Sequence, residues 1–404
     1  MEQHTYNKCP VCGYPLTLQS AVCPRCGNDI FEEISALDEQ SEELYRQNID
    51  GKKAEWFTRC LTEKLNCSPN YPAEHLVESP VEPVQKKRIQ HPYYQRNEIE
   101  YLETISRKEL LKDGSARRKW WETMTDEWKE VIKTTLKVVR EPSDSELLNF
   151  FDTTHLRCDN RRIHDLLPVR MLEKLQQLRC DESPVQNLEP LAHLDKLQRL
   201  YAFDCDFSSL EPLRNLIKLK LLWISSTQVS TLEPISALLN LEELYCSETL
   251  INDLSPLKKL INLEKLSCYK TDVSSLEPLE DLENLIELGI NCSAVTDLTP
   301  LSSLINLEYL RCNKTGINSI EPLRPLESLR ELSIANTAVS VIDALEELDG
   351  LEELDISNTL VSSIYPLMQL QNLEKIELST GNIPPEEIEH FIELHPDCEV
   401  ILKK

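Results

Sequence analysis

The sequence predicts an α/β solenoid, in which short parallel strands line one face and short helical turns line the other. The main observation is a 22-residue period that begins at a degenerate first unit, Thr153, and then repeats a leucine without a slip: Leu175, Leu197, Leu219, Leu241, Leu263, Leu285, Leu307, Leu329, Leu351 and Leu373. A fixed short period is typical of stacked supersecondary units. One such unit cannot bury its apolar residues alone, so neighbouring units must complete the core.

The pattern inside each unit supports this fold. Counted from the recurring leucine as position 0, positions 0, 3 and 5 are apolar, and position 10 is Val or Ile in most units. The first three positions suit a strand whose apolar side chains point inward. Position 15 is proline in nine of the ten units, with Ala344 as the exception. Proline is pre-set for the first turn of a helix, so each unit should place a helical turn opposite its strand.

These features resemble the leucine-rich repeat family, in the 22-residue class typified by bacterial internalins. The resemblance covers residues 153–404 and implies a parallel sheet on a concave face. One departure concerns position 8, where the family's usual Asn is replaced by a smaller side chain: Ser183, Cys205, Thr227, Thr249, Thr271, Ser293, Thr315, Thr337 and Thr359. A hydroxyl can bond the backbone of the turn in place of the amide, although more weakly.

In most units, position 5 is occupied either by isoleucine or by cysteine. The cysteines are Cys158, Cys180, Cys246, Cys268 and Cys312. A position that accepts either residue is a core position, where cysteine acts as a small hydrophobic side chain. A metal-binding or redox-active cysteine column is the less favoured alternative.

The segments outside the repeats divide into five parts. We expect a zinc ribbon over 1–30, a helical segment over 31–66, a proline-rich linker over 67–94, a helical N-terminal cap over 95–152 and a C-terminal cap over 373–404. Ser143 and Glu146 form a capping-box pattern at the start of a short helix. The tryptophan and phenylalanine residues of the 95–152 segment would cover the open end of the first unit, since a solenoid end must be shielded from water.

The zinc prediction rests on Cys9, Cys12, Cys23 and Cys26, which form two CxxCG knuckles separated by ten residues. Four cysteines satisfy the tetrahedral coordination of a structural zinc ion and leave no open position for catalysis. The motif resembles the short zinc-ribbon family across residues 7–28. A thioredoxin-like redox role is the weaker alternative, because no βαβ pattern surrounds the cysteines. Lys8 and Arg25 are the only cations in residues 1–30, which gives little capacity to bind phosphate.

The repeats also predict a partner-binding face. Positions 2, 4 and 6 should point away from the core, and equal positions should form columns across the stacked strands. The candidate binding residues in these columns are Arg179, Tyr201, Phe203, Trp223, Tyr245, Tyr269, Tyr309 and Arg311. Tyr, Trp and Arg dominate interface hot spots, so aromatic side chains on a face expected to be wet suggest a protein partner. Two alternatives stay open: the N-terminal helices fold back over the patch, or the rings simply stack to stabilise the sheet.

Charge favours a protein partner over nucleic acid. The net charge is −26, of which −20 falls in residues 153–404, and an acidic surface repels phosphate. It favours a basic partner, although acidic charge can also serve solubility alone. The outward face also grades from basic at Arg157, Arg179 and Arg199 to acidic at Glu331, Glu353 and Asp355.

The sequence contains no recognisable catalytic motif, secretory signal or membrane span. We therefore expect a cytoplasmic, non-enzymatic adaptor or recognition subunit, of open oligomeric state, with one structural zinc ion. The alternative is a regulatory subunit of a signalling or nucleic-acid-processing complex, in which the zinc ribbon contacts nucleic acid or the catalytic partner.

Overall fold

The computed structural model describes residues 96–403. Residues 96–136 and 142–403 belong to one compact unit. The predicted zinc ribbon (1–30), helical segment (31–66) and proline-rich linker (67–94) lie outside the described residues.

The repeats form one parallel sheet of twelve strands in strict chain order, β1 to β12. Its strands are His155–Arg157, Gln177–Arg179, Arg199–Tyr201, Leu221–Trp223, Glu243–Tyr245, Lys265–Ser267, Glu287–Gly289, Tyr309–Arg311, Glu331–Ser333, Glu353–Asp355, Lys375–Ser379 and Glu399–Lys403. Equal positions of neighbouring units pair across the sheet, as in Leu200 with Leu222. The fold is therefore the predicted leucine-rich-repeat solenoid.

Each of the first ten strands is followed by a short 3-10 turn, where the sequence predicts a helical turn. The turns are Leu167–Met171, Glu189–Leu191, Glu211–Leu213, Glu233–Ile235, Ser255–Leu257, Glu277–Leu279, Thr299–Leu301, Glu321–Leu323, Asp343–Leu345 and Tyr365–Leu367. In each unit the proline lies at the start of that unit's 3-10 turn, as expected; the exception is the turn that contains Ala344. Leucines and isoleucines from strands and turns meet in one continuous core from Leu102 to Phe391.

Two side-chain ladders satisfy the backbone between strands and turns. At position 8, Thr227, Thr249 and Thr271 donate to the carbonyl of position 5 of their own unit at 2.6–2.7 Å, which confirms the predicted role of the hydroxyl. At position 21, Asn240 and Asn262 donate to the position-20 carbonyl of the preceding unit at 2.7 and 2.8 Å. The sequence pattern did not indicate this second ladder.

The backbone takes a left-handed conformation once in each repeat, at position 7. The ten residues have φ between 52° and 58°, and none is glycine: Asn160, Glu182, Asp204, Ser226, Glu248, Lys270, Cys292, Lys314, Asn336 and Asn358. This conformation keeps the chain in the ladder after the strand ends, as when the Glu182 amide donates to the Phe203 carbonyl at 3.0 Å.

Five helices precede the sheet: α1 Arg96–Thr104, α2 Arg107–Lys112, α3 Gly114–Thr123, α4 Asp126–Leu136 and α5 Asp144–Phe150. The capping box at the start of α5 is present, with the Ser143 amide donating to the Glu146 carboxylate at 2.7 Å. The helices contact the first unit, where Arg107 donates to the Met171 carbonyl at 3.1 Å and Trp128 to the Asp165 carbonyl at 3.2 Å. Their function as a cap stays a prediction.

The closing segment contains β11, helix α6 (Pro385–Leu394) and β12. The buried Glu387 carboxylate of α6 accepts hydrogen bonds from the Ser363 hydroxyl and the Ile364 amide, both at 2.6 Å. These bonds attach the helix to the last 3-10 turn, since a buried carboxylate is stable only when it is fully hydrogen-bonded.

Candidate partner-binding face

The outward face of the sheet is formed by positions 2 and 4 of each repeat unit. Position 6 follows shortly after the end of the strand. In β3, Arg199 is exposed while Leu200, one residue later, is fully buried in the core. The pairing register places Tyr201 beside Trp223 and Trp223 beside Tyr245. Residues far apart in the chain thus form the predicted position-4 column.

The aromatic side chains of this column contact one another, and Phe203 at position 6 joins them. The rings of Phe203 and Trp223 lie 4.6 Å apart, those of Trp223 and Tyr245 lie 5.3 Å apart, and those of Tyr201 and Trp223 lie 6.3 Å apart. Such offset contacts contribute about 0.5–1.5 kcal/mol each beyond burial. The Tyr245 hydroxyl also donates to Glu243 at 2.6 Å.

These rings are buried, and the expectation that they lie on a wet face is wrong. Their exposed fractions are 3% for Tyr201, 4% for Trp223, 4% for Tyr245, 5% for Tyr269 and 9% for Phe203. Ring-to-ring packing accounts for part of this burial, because neighbouring strands bring large side chains within contact distance. The rings therefore stabilise this part of the sheet, whatever else they do.

Arg179 adjoins the aromatic column and is also buried. It forms a two-point ion pair with Asp181 in its own unit, at 3.2 and 3.0 Å, and its guanidinium lies 5.0 Å from the Tyr201 ring centre. Burial raises the pKa of Asp181, and the charge of Arg179 opposes that rise. We call Arg179, Tyr201, Phe203, Trp223 and Tyr245 the aromatic segment.

The basic end of the predicted charge gradient is compensated locally. Arg157 pairs with Asp159 at 3.1 and 3.0 Å, in the same arrangement as Arg179 with Asp181. Because each arginine has a carboxylate two residues later in its own unit, these two positions add no net positive charge to the face. The gradient is therefore weaker than the sequence predicts.

Arg311 lies three strands beyond Tyr245 and belongs to a different cluster. It donates to both oxygens of Glu331 at 2.6 and 2.7 Å and to Glu287 at 3.1 Å. Its side chain is 30% exposed. Tyr309, two residues earlier in the same strand, is half-buried. The structure therefore separates Tyr309 and Arg311 from the aromatic column, although the sequence grouped all eight residues.

Carboxylates dominate the face beyond Arg311. Asp355 and Glu377 share Lys403 of the last strand, and Lys375 contacts Glu377 at 2.7 Å. Burial tends to raise the pKa of Glu377, but the bonds from Lys375 and Lys403 outweigh it and hold the pKa below its ordinary value. We call Glu287, Arg311, Glu331, Asp355 and Glu377 the charged segment.

A cavity of about 640 Å³ opens at one edge of the last repeats. Its lining includes Glu308, Arg330, Glu352, Glu374 and Asp397. Arg330 contacts Glu352 at 2.7 Å and Glu308 at 3.4 Å. Carboxylates thus exceed cations in the cavity as well, which extends the acidic character of the charged segment to the edge of the sheet.

Position 6 provides polar anchors that the sequence analysis missed. The Ser247 hydroxyl accepts from the backbone amide of Tyr269 at 3.1 Å. The side-chain Oδ1 of Asn291 accepts from the backbone amide of Asn313 at 2.8 Å, and Asn313 Oδ1 accepts from the backbone amide of Ala335 at 2.7 Å. Each anchor bonds the same position of the next unit, so only the register of the stacked units could have revealed it.

The position-5 cysteines are core residues, as predicted. Cys158, Cys180, Cys246, Cys268 and Cys312 are fully buried. Burial raises the pKa of Cys268 to about 12. For Cys180, a hydrogen bond with Cys205 and burial together raise the pKa well above its ordinary value. Such thiols stay protonated near neutral pH, and the thiolate is the form that binds metals.

The described residues contain neither a candidate metal cluster nor a membrane-spanning helix. Between residues 96 and 403, no group of three or more His, Cys, Asp or Glu side chains is placed to hold a metal ion. In that same range, no helix has both the length and the apolar character needed to cross a membrane. The predicted zinc ligands Cys9, Cys12, Cys23 and Cys26 lie outside it.

Comparisons with known proteins address the fold. No family model matches the sequence, and no curated protein matches it. An internalin, InlF, from Listeria monocytogenes is similar over 69% of this chain and 90% of its own, with a TM-score of 0.59 and 22% identity. The functional domain of InlJ from the same organism, which includes a cysteine ladder, is similar over 71% of this chain and 70% of its own, with a TM-score of 0.57 and 18% identity.

A plant structure has the same fold at lower similarity. The leucine-rich-repeat ectodomain of the receptor kinase GASSHO1/SCHENGEN3 from Arabidopsis thaliana, in complex with CASPARIAN STRIP INTEGRITY FACTOR 2, covers 61% of this chain and 34% of its own, with a TM-score of 0.51 and 19% identity. At identities this low, the structural similarity shows the internalin-type solenoid fold alone. The function has to be argued from the residues of this chain.

Proposed function

We propose that this chain is a non-enzymatic protein-interaction module that binds a basic partner on the outward face of its sheet. The charged segment carries this proposal, because its carboxylates outnumber its cations and its side chains are only partly buried: Arg311 is 30% and Glu287 25% exposed. Partly exposed charges can contact a partner without a change in the fold. Complementary charge raises the rate and the specificity of such an encounter.

The aromatic segment has a different place in this proposal. Its rings present little surface, so we assign initial recognition to the charged segment. Tyr201, Phe203, Trp223, Tyr245 and Tyr269 remain predicted contact residues, as do Arg179 and Tyr309. The complex of the plant ectodomain with CASPARIAN STRIP INTEGRITY FACTOR 2 is consistent with ligand binding by this fold.

Charge reversal on the two faces of the solenoid tests the proposal. The double variant Glu331→Lys/Glu353→Lys alters the charged segment at Glu331 and the exposed Glu353 paired with it on the next strand. Its matched control, Glu233→Lys/Glu277→Lys, makes the same change in net charge at exposed positions of the 3-10 turns. In quantitative affinity purification of the full chain from its native cells, we expect the first variant to lose the partner by at least about tenfold. Equal partner recovery by both variants and the wild type would refute binding by the charged segment.

The zinc ribbon and the cytoplasmic location are part of the same proposal. The spacing of Cys9, Cys12, Cys23 and Cys26 supports one structural zinc ion. Metal analysis of the freshly purified full chain should find about one zinc per chain, and less in a Cys9→Ser variant. A zinc content near zero in the wild type would remove the ribbon from the proposal.

A further inference from the structure

The last strand of the sheet, β12 (Glu399–Lys403), leaves one edge of the sheet open. It pairs with β11 along its whole length, from Lys375–Glu399 to Ser379–Lys403, and it is the terminal strand of the sheet that the described residues form. An unpaired edge presents backbone N–H and C=O groups that can bond another strand. At the opposite end of the sheet, β1 is shorter and is contacted by helix α4.

The hydrogen bonds of β12 identify the backbone groups that face the open edge. The Glu399 amide donates to the carbonyl just before β11 at 2.7 Å, and the Lys403 carbonyl accepts from the amide just after β11 at 3.3 Å. Both residues therefore direct their backbone toward β11. Because the backbone groups of successive residues point to opposite edges of a strand, Val400 and Leu402 direct their N–H and C=O groups to the open edge.

The side chains of β12 are unusual for an edge strand. Val400, Ile401 and Leu402 are consecutive aliphatic residues. Ile401 pairs with Glu377 and so lies on the outward face, where it is partly exposed, and Leu402 is 48% exposed. Native proteins protect an edge strand with proline, a bulge or a charged side chain, and the centre of β12 contains none of these. A continuous aliphatic run is typical of a strand that is paired at both edges.

We propose that two copies of this chain form a dimer by pairing their β12 strands antiparallel about a two-fold axis. The axis passes beside Ile401, so that this residue faces Ile401 of the other copy and Val400 faces Leu402. Because the backbone groups of Val400 and Leu402 point to the open edge, each such pair exchanges both of its hydrogen bonds between the copies.

The sequence of β12 is complementary to itself in this register. The strand reads EVILK, with opposite charges at its ends and aliphatic residues between them. Glu399 faces Lys403 of the other copy, and no like charges oppose each other. Lys403 also contacts a carboxylate of β11 in its own chain, so the pair between copies selects the register more than it adds affinity. An axis beside Val400 or Leu402 would instead place Ile401 opposite a charged side chain.

The dimer would also join the charged segments of the two copies. A two-fold axis perpendicular to the sheet keeps both outward faces on the same side. β11, which carries Glu377, lies next to β12, so the charged segments meet near the axis. If the proposed partner binding is correct, the two segments could engage one basic partner with a gain in avidity. The dimer itself does not depend on that function, and its test needs no partner.

A proline at the open edge tests the hydrogen bonds between the copies. Leu402→Pro removes an N–H that faces this edge and leaves the pairing of β12 with β11 in place. Leu402→Ala is the matched control, because it shortens the same side chain and keeps the N–H. Sedimentation equilibrium of the full wild-type chain over about 1–200 µM should show a monomer–dimer equilibrium, in about 0.15 M salt to screen the net charge of −26. Leu402→Pro should raise the dissociation constant at least about tenfold above that of Leu402→Ala. Thermal unfolding of both variants establishes that they are folded.

A disulfide tests the position of the axis. Ile401→Cys places two thiols directly opposite each other, within the distance that a disulfide spans. Glu399→Cys is the matched control on the same face of the same strand, because its two copies lie about 13 Å apart along the strand direction. In oxidised glutathione, the first variant should form a covalent dimer and the second should form no more than the wild type. A wild type that is monomeric at about 200 µM would overturn the proposal. So would equal dissociation constants for Leu402→Pro and Leu402→Ala, or equal cross-linking of Ile401→Cys and Glu399→Cys.

Discussion

The aromatic segment and the charged segment occupy equivalent positions of the same sheet, yet they differ in almost every physical property. Trp223 and Arg311 both occupy position 4 of their repeat unit, at the end of a three-residue strand. Trp223 is nevertheless 4% exposed, while the Arg311 side chain is 30% exposed. Arg179 pairs within its own unit, whereas Arg311 joins carboxylates of both neighbouring units. The repeated backbone therefore provides a common frame, and the size and charge of neighbouring side chains decide whether a region is a packed layer or an accessible surface.

The largest difference between the segments should appear when Trp223 is truncated. Because its ring is buried and contacts Tyr201, Phe203 and Tyr245, Trp223→Ala should lower the free energy of unfolding by about 3–5 kcal/mol. Urea denaturation followed by circular dichroism measures this. Tyr365→Ala is the matched control, since Tyr365 is 67% exposed and should change stability by less than about 0.5 kcal/mol. A loss below about 1 kcal/mol for Trp223→Ala would mean that the aromatic segment is not a structural layer.

The second-largest difference should be in the stability that Arg179 and Arg311 contribute. Arg179→Met leaves the buried Asp181 carboxylate without its cation, which should cost about 3 kcal/mol. Arg311→Met should cost about 1 kcal/mol, because Glu287 and Glu331 remain in contact with water. Adding Asp181→Leu to Arg179→Met should recover most of the lost stability, since a buried ion pair is replaced by an apolar contact. Equal costs for the two single variants would contradict the contrast between the segments.

The sequence predicted the features that depend on the period. Cys268 in the core, the Thr271 hydroxyl on the turn and the Ser143 capping box all follow from local pattern and are confirmed. It could not predict that Trp223 is buried, because exposure depends on how large side chains from different units fit together. Nor could it show that Arg179 pairs with Asp181 while Arg311 pairs with Glu331, because both choices are compatible with the same spacing.

Lowering the pH should destabilise the strands of the charged segment before the strand that precedes Asp181. Glu377 has a lowered pKa, so its ion pairs with Lys375 and Lys403 stabilise the fold above the pKa of the unfolded chain and are lost as the pH falls. Asp181 has a raised pKa, so its ionised form costs stability at neutral pH and its protonation relieves that cost. Hydrogen exchange, corrected for intrinsic rates, should therefore show β10 and β11 losing protection before β2 between about pH 7 and pH 4. Earlier opening of β2 would contradict this order.

The smallest expected effect tests whether both segments share one backbone frame. Glu182 beside the aromatic segment and Lys314 beside the charged segment have φ of 52° and 54°, and both side chains are exposed. The left-handed conformation is unfavourable for such residues, so Glu182→Gly and Lys314→Gly should each raise the free energy of unfolding by about 0.5–1 kcal/mol. Asn336→Gly is the control and should gain less, because asparagine tolerates this conformation. If urea denaturation gave a gain at only one of the first two positions, the segments would differ in their backbone and not only in the side chains that they carry.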